Sequence, residues 1–138
     1  MDQAIVDALN ELLVAERAGV ETLSLLKRQN PALEPDMARI ESDEVWSCAG
    51  LDRSIRALEG VASRAKGDFA AKVQSQPSLK NKLQLLARGQ GWVVKRVDSL
   101  LEMALPPDVT SFLSDMKVVH QRNIEWCHDQ VKAMSRNQ

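Results

Sequence analysis

The 138-residue sequence has no tyrosine, two phenylalanines, two cysteines and two histidines. Two cysteines are too few for a disulfide scaffold. With no basic-then-apolar leader at the start of the chain, a reducing cytoplasm is the expected compartment. Two histidines exclude any metal site built mainly from imidazoles. There is no excess charge of either sign: 18 Lys+Arg stand against 19 Asp+Glu, for a net charge of -1. Nucleic-acid binders and polybasic membrane-surface proteins carry a cationic excess, so neither nucleic acid nor membrane is expected as a partner. No apolar run approaches the ~20 residues of a membrane span. With only two threonines and no stretch alternating at period two, a sheet is not expected. No Gly-rich phosphate loop follows a strand, and no Ser-His-Asp or Cys-His spacing suggests nucleophilic catalysis. No catalytic residue is therefore assigned, and enzymatic activity is left open.

What is present suits one helical domain spanning 1–138, with 44% hydrophobic and 27% charged residues. The five prolines, Pro31, Pro35, Pro77, Pro106 and Pro107, punctuate long runs of good helix formers. Four helices are predicted, at about 2–29, about 36–60, about 78–104 and about 108–135. Gly60 is the expected C-terminal signal of the second, and Ser78 and Asp108 are the expected N-caps of the third and fourth. The apolar stripes are Ile5, Leu9, Leu12, Leu23 and Leu26; Met37, Ile40, Cys48, Leu51, Ile55 and Leu58; Leu79, Leu83, Leu86, Val93, Val97 and Leu100; and Val109, Phe112, Met116, Val119, Ile124, Cys127 and Val131. Their 3-4 spacing predicts a four-helix bundle. Short connections make each consecutive pair antiparallel. The 17 residues from Val61 to Pro77 are long enough to return along the bundle, and Asp68–Val73 could form a short extra helix. Two hairpins joined by a crossover is the ferritin-like arrangement. An up-down-up-down bundle with a decorated loop is the alternative.

Continuing each stripe through its helix midpoint brings polar residues inward. The series places Glu16, Glu44 and Gln90 on buried faces, and His120 stands beside Val119, with Asn123 a turn later. Burying an unpaired carboxylate costs several kcal/mol, and two together need a cation or protons. Four such positions at matched depth predict one central polar layer. Gly19, Gly50, Gly89 and Gly91 also lie inside helices, where each costs about 1 kcal/mol relative to Ala. They allow close helix approach or leave room for a ligand beside the layer.

The segments Glu11-Leu12-Leu13-Val14-Ala15-Glu16-Arg17-Ala18-Gly19, Asp43-Glu44-Val45-Trp46-Ser47-Cys48, Arg88-Gly89-Gln90-Gly91-Trp92 and His120-Gln121-Arg122-Asn123-Ile124 resemble a small bacterial branch of the ferritin-like superfamily. The superfamily's di-iron pattern is one Glu on helices 1 and 3 and Glu-x-x-His on helices 2 and 4. By that resemblance Glu16 and Glu44 take the Glu positions of helices 1 and 2. Ser47 stands where the helix-2 His would be, Gln90 replaces the helix-3 carboxylate, and helix 4 reads His120-x-x-Asn123. The site is thus a degenerate di-iron site. It keeps Glu16, Glu44 and His120 as candidate ligands of one iron, manganese or zinc ion, with Gln90, Asn123 and Glu41 as weak or outer ligands. The implied role is small-scale metal or oxygen handling.

A metal-free network, balanced by a protonated Glu or by Arg17 or Arg122, is the competing reading, and the protein would then be a non-catalytic bundle. A small-ligand carrier using the glycines is a third. Glu125-Trp126-Cys127-His128 is a literal Glu-x-x-His, but both ends fall off the inward series and are expected on the surface. Cys48 and Cys127 are expected as small buried groups. Trp46, Trp92 and Trp126 stand beside stripes, where aromatics cover a bundle edge or a dimer interface. A homodimer is the expected assembly.

Overall fold

Of the two expected caps, Ser78 starts its helix, whereas Asp108 lies inside the first turn of the last helix, which begins at Pro107 because a proline fits a helix start. In the computed structural model, which describes residues 2–136, Asp2 accepts a hydrogen bond from Ala4 N and opens α1 (Gln3–Gln29), which closes with Lys27 and Arg28 in its last turn. A 3-10 turn, Pro31–Leu33, leads into α2 (Glu34–Ala57). α2 begins two residues earlier than expected because Pro35 falls in the first turn, where its missing N–H is not needed. A short helix α3 (Phe69–Gln74) forms where the sequence allowed one. Ser78 accepts from Asn81 N to cap α4 (Leu79–Leu101), and α5 runs from Pro107 to Arg136. Among the described residues there is no strand, and no helix is long and apolar enough to cross a membrane.

The end of α2 differs from the expectation. The helix stops at Ala57, and Glu59, not a glycine, takes the left-handed conformation with φ 60°. Glu59 N donates to Arg56 O and Gly60 N to Ile55 O, both at 2.9 Å, which is a Schellman closure. Gly60 serves packing instead: a Cβ there would stand 2.7 Å from Val6 Cγ1.

The chain forms two compact units, one ending at Ala70 and the other beginning at Ala71. The first is a hairpin of α1 and α2. Its antiparallel register is fixed by Val6 beside Gly60, Gly19 beside Glu44, and a 2.7 Å ion pair between Lys27 Nζ and Glu41 Oε1. The segment after α2 is strapped along one face of α1. Asn10 Nδ2 donates to Val61 O at 3.0 Å, and Ser63 N donates back to Asn10 Oδ1 at 2.7 Å. Arg17 donates to the carbonyls of Ser63 and Ala65, and Lys66 pairs with Glu21. In the second unit α4 packs along α5, also antiparallel, with Lys117 Nζ 2.6 Å from Asp98 Oδ1.

Candidate functional site

On α1 the residues Ile5, Leu9, Leu12, Glu16, Gly19, Leu23 and Leu26 are all buried, so the helix carries Glu16 inward as its stripe predicts. On α2 the buried line is Met37, Ile40, Glu44, Ser47, Gly50, Leu51, Ser54 and Ile55. Glu16 is 2% exposed and Glu44 1%, and a carboxylate oxygen of each lies within 4.8 Å of the other. Gly19 creates the space for this pair. A Cβ on it would approach Glu44 Cδ to 3.0 Å and Oε2 to 3.1 Å, so the helix gives up a methyl group where the carboxylate sits.

Two buried carboxyls this close cannot both ionise cheaply. Burial pushes Glu16 up from 4.5 to about 7, and interactions with Glu44 and Ser47 offset part of that rise. Ser47 is fully buried one turn after Glu44, and among the described residues its Oγ lacks a hydrogen bond of good geometry. Its neighbour Cys48, expected on the buried stripe, is only half-buried. Spacings of three and four from Glu44 fall on the same face, and packing selects the smaller hydroxyl. Burial and the nearby Glu16 and Glu44 push the Cys48 thiol up to about 12, with Arg17 acting the other way. Cys127 is buried as expected and is pushed equally high by burial alone.

In the second unit α4 buries Gln90 in line with Leu83, Leu86, Val93, Val97 and Leu100. α5 buries Val109, Leu113, Met116, His120, Asn123 and Cys127. Here the expected stripe needs correction. Phe112, Val119, Ile124 and Val131 are half-buried, and Leu113, His120 and Asn123 occupy the centre of the face. His120 is 1% exposed, and its Nδ1 donates to Met116 O at 2.8 Å. That bond selects the tautomer whose lone pair is on Nε2, the orientation that metal-binding imidazoles take.

The other candidates are less deeply buried. Glu41 is half-buried and engaged by Lys27. Arg17 is directed to the strap carbonyls, and Arg122 is exposed. Glu125 and His128 are both exposed, as expected. Trp46 and Trp92 are 38% and 41% exposed, and Trp126 is half-buried.

A family model described as a domain of unknown function, DUF6306, matches residues 3–130. The chain belongs to the DUF6306 family. The match takes in α1 to α4 and most of α5, and with them Glu16, Glu44, Ser47, Gln90, His120 and Asn123. No curated protein and no solved structure matches the chain.

Proposed function

We propose that this DUF6306 chain is a ferritin-like four-helix bundle whose two hairpins bring Glu16, Glu44 and His120 around one divalent ion. Iron, manganese or zinc would serve, with Gln90 and Asn123 as weak or outer ligands and small-scale metal or oxygen handling as the role. The observation that carries the reading is the buried Glu16–Glu44 pair under Gly19, a cradle that a single Cβ would fill. The donor set also fits. Two carboxylates and one imidazole suit these ions, and all three residues are buried. A bound ion supplies Lewis acidity and, for iron or manganese, a redox couple. The chain's own residues do the rest. Met116 O holds the His120 proton on Nδ1, Gly19 leaves room for the Glu44 carboxylate, and Glu16 releases its proton near neutrality.

Elemental analysis of protein purified without a nickel column tests this. Close to one ion per chain is expected, with loss in Glu16→Ala; trace metal that does not change in Glu16→Ala would sink the proposal. The second reading, a metal-free polar layer that fixes helix register, is favoured by one observation: a Glu16 carboxyl near 7 lets the pair share a proton. It predicts a destabilised Glu44→Leu variant with no metal to lose.

A further inference from the structure

The hairpin of α4 and α5 carries a groove of about 610 Å³. Its volume falls within the roughly 300–1,000 Å³ of small-molecule sites. Ala87, Gly91, Ile124 and Val131 give an apolar floor. Arg88, His128 and Lys132 contribute cationic or N–H-bearing groups, and no carboxylate lines it.

Two features set this groove apart from ordinary surface. The first is Gly91. A Cβ at Gly19 would strike Glu44, but one at Gly91 would meet nothing within 4 Å. A mid-helix glycine costs about 1 kcal/mol relative to Ala, and here no neighbour requires it. What it preserves is open space on the floor of the groove.

The second is charge. The chain as a whole is nearly neutral, yet residues 69–97 carry six Lys or Arg and no Asp or Glu. Several cations elsewhere have a carboxylate partner: Lys27 has Glu41, Arg56 has Asp52, Lys66 has Glu21 and Lys117 has Asp98. Among the described residues Arg88 and Lys132 enter no ion pair or hydrogen bond. Two uncompensated cations beside an apolar trough fit a ligand with an apolar body and one negative end.

We propose that the α4–α5 groove binds an organic anion of this kind, an aliphatic carboxylate being the simplest member. The apolar chain lies over Ala87 and Gly91 between Ile124 and Val131, and the carboxylate is held by Arg88 and Lys132. The site is independent of the carboxylate pair on α1 and α2 and needs no metal.

Isothermal titration of the full chain with octanoate, octanol and acetate tests the proposal. Octanoate is expected to bind, with octanol and acetate each at least about tenfold weaker, since each lacks one of the two matched features. Gly91→Leu fills the open space and abolishes binding, while circular dichroism and the unfolding midpoint show an intact and slightly more stable helix. Arg88→Gln with Lys132→Gln lowers octanoate affinity about tenfold and flattens its dependence on salt. Absent binding, equal affinity for octanol, or unchanged binding in Gly91→Leu overturns the proposal. So does a wild-type dimer that Gly91→Leu dissociates, which would make the groove a contact between copies of the chain.

Discussion

A Cβ at position 19 would stand 3.0 Å from Glu44 Cδ, so Gly19→Ala is expected to push the carboxylate off its place. The added helix propensity, about 1 kcal/mol, offsets much of the crowding, so stability should change by less than about 1 kcal/mol while metal content falls. Metal analysis and urea unfolding on the same preparation separate the two effects. Glu16 gives a pH signature. Its folded value of about 7 lies above its ordinary 4.5, so the folded state holds the proton more tightly than the unfolded chain. The resulting stabilisation is complete below pH 4.5, shrinks as pH rises, and is gone above about 7, a loss of about 3 kcal/mol for this buried group. Metal-free protein should therefore show a falling unfolding free energy over that window, and Glu16→Gln should flatten it. Metal affinity runs the opposite way, rising with pH until Glu16 is ionised. Glu16, Glu44, Gln90, His120 and Asn123 were all legible in the sequence, because a polar residue on an otherwise apolar 3-4 series has few other places to go. Ser47 was not. Spacing alone cannot choose between Ser47 and Cys48, and side-chain polarity pointed to the wrong one. On α5 the same ambiguity favoured Phe112 over Leu113, the residue that packing buries.

Helix starts were legible at Ser78 but not at Asp108, which lies in the first turn of α5 and not at its cap. Asp2 and Ser78 cap as their chemistry requires, and Phe69–Gln74 lies within two residues of the expected short helix. The close of α2 was misread, because a glycine usually marks the left-handed position and here Glu59 holds it. Glu59→Gly is expected to stabilise the first hairpin by about 0.5–1 kcal/mol, the left-handed penalty outweighing the added chain freedom. Thermal unfolding of the two proteins measures the difference. The strap was not legible at all. Nothing in the spacing of Asn10, Arg17 and Glu21 announces that one helix face will hold a segment some fifty residues later in the chain. Asn10→Ala removes both bonds of the reciprocal pair and should cost about 1–3 kcal/mol. It should also expose the segment from Val61 to Gly67 to limited proteolysis; an unchanged cleavage pattern would show that Arg17 and Glu21 suffice.

For the molecule as a whole, the proposed metal centre draws ligands from two hairpins, so its loss should be collective. Glu16→Gln and His120→Ala are each expected to abolish binding, and the double variant should lose no more than either one, because both remove the same ion. Added metal should raise the unfolding temperature of the wild type alone, by an amount equivalent to about 2.7 kcal/mol when free metal is a hundred times the dissociation constant. Neither native thiol, each held near 12, should react quickly with an alkylating agent at neutral pH, whereas urea should release both. The strap has one more implication. Because the Asn10 amide meets a donor and an acceptor two residues apart, it works as a ruler that reads the connector's length in whole residues. An insertion between Val61 and Ser63 shifts the phase of that reading and should be rejected. One placed after Gly67, beyond the last clamp, should be accepted.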